Sequence, residues 1–513
     1  MNRFAHSRVR EMFVLIGACF ALAPGAAPEA LAQAEDPASA QVIPLEKRSY
    51  IRNLKVLAQH FPDSDRYGKL QMMAIGSRRY LFQAYRDLES DKTVGVIVDV
   101  SNPLNPIVVR DKAWDEGFQL QLGYNESLKK WILVTGQSFH RPSGRGLRGV
   151  EIFDVTDPAK PTLLSRWSVD GGDPSRTQQT GHGTHRFWYD GGRYLYLSAA
   201  PDNNFYFPEY RGLPTAWGYS FGLQIVDLAD PVRPKLVANW HIPGQRYDEA
   251  EARAAWSFAT DPVPKPFLHG PVYVPRKLEK GGVLGYGSWG SFGMVIHDFS
   301  DVAHPKVLST WRPEPANGPQ IAVHTVDVAR LDRGFVITNP EAIAPQCRET
   351  QVPMSIVDVS DPRNPRRVAD LPLPVPPAEA PYKSFCERYG RFVAHNPPHL
   401  KAPGKPHPSF TCYTFFSGGL QCYDIEDISH PRIVAYFVPG QGPPQARSIS
   451  NPGSATHWIR TVDNVFIEWD RRLIWVAADT GLYLLSATSL GSPVLKPMRV
   501  ERWALPDLNS GAP

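Results

Sequence analysis

One short phrase recurs along this chain: an apolar strand ending in Asp, then a turn punctuated by proline. Its first copy reads Val96-Ile97-Val98-Asp99-Val100-Ser101-Asn102-Pro103, with Pro106 behind it. Further copies are anchored at Asp154, Asp227, Asp298, Asp358 and Asp424, at intervals of 55 to 73 residues. A worn seventh copy runs from Gly481 to Ser486, where Ser486 replaces the Asp and Pro493 follows. A period this long, filled only with strand and turn signals, implies repeated small sheets, and one such sheet cannot bury its own faces.

The unit is legible in physical terms. In Gly222 to Trp240 the first half is apolar enough to be covered on both faces, and Asp227 can accept backbone hydrogen bonds in an Asx-type turn. Pro231 and Pro234 then preset φ for the reversal into the next strand. Another strand pair precedes each unit, as in Phe187 to Tyr189 and Tyr194 to Ala199 around Asp190-Gly191-Gly192. Seven copies of four short strands predict an all-β fold, a seven-bladed β-propeller of four-stranded antiparallel blades. A stack of hairpins in a sandwich or barrel is the alternative. The segment Asn53 to Phe61 looks like the strand that ends the other units, so it is expected to close the ring beside the last blade.

The phrase, written hhIVDvSDP with h for an apolar residue, resembles the LVIVD-repeat family of propeller proteins. The resemblance covers roughly residues 50 to 505 and implies the fold, while propellers as a class host many unrelated chemistries.

The domain plan follows. Residues 1–34 read as a signal peptide: Arg3, Arg8 and Arg10 precede the apolar run Met12 to Ala23, and Ala32-Gln33-Ala34 offers a cleavage site. The run is short for a membrane span. Lipoprotein processing at Cys19 is the rival reading. Residues 35–49 are a flexible N-terminal segment, 50–505 the propeller and 506–513 a tail. The expected address is periplasmic or secreted. Removing Cys19 leaves four cysteines, for which bridges Cys347–Cys386 and Cys412–Cys422 are predicted. A formal charge of +4 over 513 residues, without a basic run, argues against nucleic acid as a partner. No other stretch is long and apolar enough to span a bilayer.

In a four-stranded blade, lettered a to d from the channel outward, the b–c and d–a connections emerge on one face. The long segments Gln137 to Arg148, Pro201 to Ser220, Ile242 to Leu268, Pro313 to Ile321 and Pro372 to Arg391 are all of these two kinds. One face therefore carries nearly all the elaboration, and its aromatic-rich loops suit the wall of a pocket for a small-molecule substrate.

Aligning the blades places His185, His269, His324 and His395 at the start of strand a in blades 3 to 6. Gln71, Gln121 and Asn464 hold the nearby positions in blades 1, 2 and 7. Four imidazoles from consecutive blades should converge at the loop-rich mouth of the channel, with His182 and His399 near enough to contribute. Imidazole ligands without thiolate favour copper or iron over structural zinc. Glu209, Asp327, Glu341 and Asn396 are acceptors that would orient the rings. Arg186 is placed to hold an anionic substrate group, and Arg186, Glu209 and Asp327 are the candidate catalytic residues. The arrangement is similar in geometry to carotenoid-cleaving oxygenases and to the selenium-binding protein and methanethiol oxidase group, without a sequence match to either. His241, His297, His304, His407 and His430 read as structural or solvated. No phosphate loop, dinucleotide fingerprint, HExxH or GxSxG motif is present. The leading expectation is an exported metal-dependent oxidoreductase. Its rivals are a non-catalytic binding or scaffold propeller and a metal-free lyase or hydrolase with a channel histidine as base.

Overall fold

The structure is a computed structural model. It describes residues 46–62, 68–87, 92–115, 117–136, 146–206, 221–256, 267–313, 321–342, 347, 349–442 and 461–504. The expected signal peptide with Cys19, Glu209 and the expected tail lie outside these residues.

Seven four-stranded antiparallel sheets form the fold, and their order along the chain is that of a seven-bladed β-propeller. Strands a, b and c are buried almost throughout, as in Gly183–Tyr189, Tyr194–Ala200 and Gly222–Asp227. Strand d, exemplified by Lys235–Trp240, is exposed or half-buried at all but one position. This gradient explains the apolar runs: inner strands are sandwiched between neighbouring blades, and only the rim meets water.

The repeat Asp does in each copy what its spacing implies. Asp99, Asp154, Asp227, Asp298, Asp358 and Asp424 each end strand c and accept from the backbone N–H two residues on, at 2.8–3.0 Å. Three residues later a second Asn or Asp repeats the bond, from Asn102 to Asp427. Two nested Asx turns reverse the chain, and the c–d ladder bulges in all seven blades.

The ring closes as expected. Leu54–His60 pairs antiparallel with Gly481–Ala487 and supplies strand d of the last blade. The seam is locked by a buried charge cluster. Glu468 accepts from Arg79 Nη1 (2.6 Å), Arg471 Nε (2.8 Å), Arg471 Nη2 (2.7 Å) and Trp475 Nε1 (2.7 Å). Arg79 also grips Asp470 at 2.7 Å, and Arg471 reaches the carbonyls of Val100 and Ser101 in blade 1.

Blade 6 departs from the plan. Its innermost position is held by an irregular segment, with His395 N donating to Thr414 O (2.8 Å) and Thr414 N to Asn396 O (3.1 Å). Its fourth strand is Tyr50–Arg52, added outside Arg432–Val438. Both bridges are present, with Cα separations of 5.3 Å for Cys347–Cys386 and 3.9 Å for Cys412–Cys422. Among the described residues no helix is long and apolar enough to cross a membrane.

Candidate metal centre

Irregular backbone delivers the key side chains to the channel. In blade 3 the ladder skips between Thr184 and Phe187, so His185 and Arg186 together oppose Ser198. In blade 5 it skips from Ile321 to Thr325, opposite Pro340, which has no N–H to give a ladder. In blade 7 the extra residue is Asp463. Bulges re-aim side chains at such rims.

The four histidines do come together. Ring centroids of His185–His269, His269–His324 and His324–His395 are 4.5, 4.6 and 4.6 Å apart. His185 Nε2 and His269 Nε2 are separated by 3.2 Å. All four residues are at most 3 % exposed. Phe221, Phe267 and Phe416 pack on His185, His269 and His395, forming an apolar collar.

Glu341, at the end of strand b of blade 5, completes the set. Its Oε2 lies 3.4 Å from His269 Nε2 and 3.5 Å from His324 Nε2. Its Oε1 lies 3.7 Å from His395 Nε2 and accepts from Arg391 Nη1 at 2.5 Å. Oε2 is buried and has no hydrogen-bond donor among the described residues. His269, His324 and Glu341 each offer one ligand atom, all within 4.8 Å of one another. With bonds of about 2.0–2.2 Å, donors around one cation stand roughly 3–3.5 Å apart, so these spacings fit a single ion.

The rings are held in place, and two of them are kept neutral. Burial, then the proximity of His185, drives the His269 pKa well below its ordinary value; burial and then Arg186 do the same for His324. Thr325 Oγ1 sits 2.6 Å from His324 Nδ1. Asp463 Oδ1 sits 2.7 Å from His395 Nδ1, a carboxylate–histidine pairing of the kind that orients metal-ligating rings. Asn396 Nδ2 is also 2.7 Å from that Nδ1 and donates to the Asp463 carbonyl at 2.7 Å. Arg186 Nη2 stands 3.0 Å from His324 Nε2 and 3.4 Å from His395 Nε2.

The other expected residues divide. Asp327 lies at the opposite end of strand a, where it accepts from Tyr413 OH (2.8 Å) and Ala329 N (2.9 Å), away from the ring. His399 lies deeper in the channel, stacked on Phe466 and bonded to Gln71. His182 stands beside Arg148 and Asp202, and burial followed by Arg148 lowers its pKa to about 4. Gln71 also accepts from Leu122 N. Asn464 bonds its neighbour Asp463, which takes the place expected for Asn464 itself. His297 is a core residue accepting from Trp289 Nε1 at 3.0 Å. Sequence reasoning missed Arg391 and Asp463; the acidic side chain one position before Asn464 was the available signal for the second.

A family model described as the LVIVD repeat matches residues 95–111, the first copy of the phrase. That match to one copy, together with the seven-bladed ring, supports the likeness to LVIVD-repeat propellers. No curated protein matches it. Among solved structures, Chaetomium thermophilum Sqt1 bound to the N-terminus of ribosomal protein L10 is similar at 11 % identity and TM-score 0.44, covering 84 % of this chain and 99 % of that one. Chaetomium thermophilum Raptor gives 10 % and 0.43, covering 88 % of this chain and 29 % of that one. Saccharomyces cerevisiae Sqt1 gives 7 % and 0.40, covering 85 % and 99 %. At these identities nothing about partners carries over.

Proposed function

We propose that this LVIVD propeller is an exported metal-dependent oxidoreductase acting on a small organic molecule at the histidine-lined mouth of its channel. The observation that carries the reading is Glu341 Oε2, a buried carboxylate oxygen without a donor among the described residues, facing the Nε2 atoms of two neutral imidazoles. Two histidines and one carboxylate with open positions are the donor set of non-haem iron(II) enzymes, which favours iron over copper. His269, His324 and Glu341 would hold the ion, with His185 and His395 alongside. Such an ion supplies Lewis-acid and redox chemistry when bound.

The chain's own residues supply the rest. Arg391 fixes the Glu341 carboxylate, and Thr325 fixes the His324 ring. Arg186 offers a guanidinium beside the centre for an anionic substrate group, and the phenylalanine collar excludes water. The N-terminal leader pattern and the two disulfides support export.

One observation favours a second reading. Arg186 Nη2 occupies the lone-pair side of His324 and His395, where an ion would otherwise sit. In that reading the ring is a metal-free polar pocket of a binding propeller. Elemental analysis of protein purified from its native compartment decides between them. About one iron per chain, lost in His324→Ala, supports the enzyme; negligible transition metal supports the binding propeller.

A further inference from the structure

The face opposite the histidines carries a cavity of about 530 Å³, lined by the a–b connections of blades 4, 5 and 6 and by the chain beyond blade 7. That volume lies within the roughly 300–1,000 Å³ of ordinary ligand sites. Arg276, Arg330, Arg333, Lys405 and Arg502 line it against a single carboxylate, Asp332. Over the whole chain 55 basic residues nearly balance 51 acidic ones, so this concentration of one sign is local.

The cations are not equivalent. Arg333 is spent on the carbonyls of Pro408 (2.7 Å), Ile425 (3.2 Å) and Glu426 (3.2 Å). Lys405 stands 3.7 Å from Asp332, and both are exposed. Arg330 is 2 % exposed, and only its Nη2 is satisfied, by the carbonyls of Phe410 (2.9 Å) and His407 (3.2 Å). Its Nη1 lies 3.7 Å from Asp327, beyond hydrogen-bond length, and neither Nη1 nor Nε has a hydrogen-bond partner among the described residues. Both atoms are closed to solvent, so Arg330 acts on the cavity through its charge, and an oxyanion is the group that complements the guanidinium forks around it.

We propose that this cavity is an oxyanion-binding site, taking a small ligand with at least two negative charges on phosphate or carboxylate groups. Arg276, Lys405 and Arg502 would meet the anion at the rim, and Arg330 adds its buried charge beneath them. The site is distinct from the histidine ring, because the a–b connections and the histidines lie at opposite ends of the strands.

The test is calorimetric titration of the full chain with inorganic phosphate and with citrate, at fixed ionic strength set with chloride. Saturable one-site binding of either is expected, and which of them binds assigns the ligand to the phosphate or the polycarboxylate class. The double variant Lys405→Ala, Arg502→Ala changes two exposed side chains and should keep the wild-type melting temperature. It should bind about tenfold more weakly or worse, the loss expected for charge-assisted hydrogen bonds. His269→Ala should bind as wild type does. The proposal is overturned by the absence of saturable binding at millimolar anion, by unchanged affinity in the double variant, or by loss of binding in His269→Ala, which would move the anion to the histidine ring.

Discussion

Two glutamates are buried at opposite ends of this propeller, each gripped by arginine, and they differ in one respect. Glu468, at the ring seam, receives four donors on its two oxygens. Among the described residues Glu341, at the channel mouth, receives one donor on Oε1 and none on Oε2, and three imidazoles surround it. A saturated carboxylate holds elements in place, whereas one left half-satisfied in a buried site keeps a lone pair for a ligand. The comparison separates a structural charge cluster from a candidate functional one by hydrogen-bond accounting alone.

The largest test of that division is removal of the saturated carboxylate. Glu468→Ala leaves Arg79 and Arg471 buried without their shared partner, and breaking such a pair costs about 3–5 kcal/mol. Urea unfolding should show that loss together with a weakened seam between the first and last blades. A cost below about 1 kcal/mol would mean that the cluster does not hold the ring closed.

Glu341→Gln should behave in the opposite way. The amide oxygen can still accept from Arg391, so the unfolding midpoint should move little. Metal content should fall from about one ion per chain to a trace, because a neutral amide is a poor ligand for a hard cation. Should stability collapse while metal stays, the roles of the two glutamates would be reversed.

A smaller effect is expected one step out. Asp463→Asn keeps the shape beside His395 Nδ1 but removes the charge that orients the ring. Replacing such partners typically weakens metal affinity about 10–100-fold. Competition with a chelator measures it, and Asp463→Glu, if it reaches Nδ1, should recover part of the loss.

What the sequence discloses divides along the same line. The blades are legible because their devices are local: an Asp that bonds two residues on, a proline that fixes φ, and strands covered on both faces. The histidines are legible because each sits at the same point of its repeat. Glu341 was visible only as an acceptor, since its place comes from the far end of strand b and a ladder interrupted at Pro340. Arg391 lies in a long d–a connection and is brought to Glu341 by tertiary folding, without any periodic signal. The outer strand of blade 6 eluded the repeat because Tyr50–Arg52, nearly four hundred residues upstream, supplies it. Fold followed from what repeats, and the site partly from what breaks the repeat.

Asp170 supplies the finest test, because it is saturated like Glu468 yet lies near water on the histidine face. Burial alone would raise its pKa. Bonds from Ser168 Oγ (2.7 Å), Thr180 N (2.9 Å), Gly172 N (2.9 Å) and Arg176 Nη2 (2.6 Å) outweigh burial and hold the carboxyl at about 2, against an ordinary value of 3.8. A carboxyl whose folded pKa is depressed contributes stability that is complete above the unfolded value and disappears as pH falls through the folded one. Asp170→Asn should therefore unfold earlier than wild type at pH 7, by less than Glu468→Ala, because the Arg176 arm is half exposed and its share is screened. The gap between the two proteins should begin to narrow near pH 4 and close near pH 2, read from unfolding midpoints across that range. A gap constant over the whole range would show that the Asp170 carboxyl is not held down by its donors. Hydrogen-bond accounting would then have to be weighted by burial before it could sort structural carboxylates from functional ones.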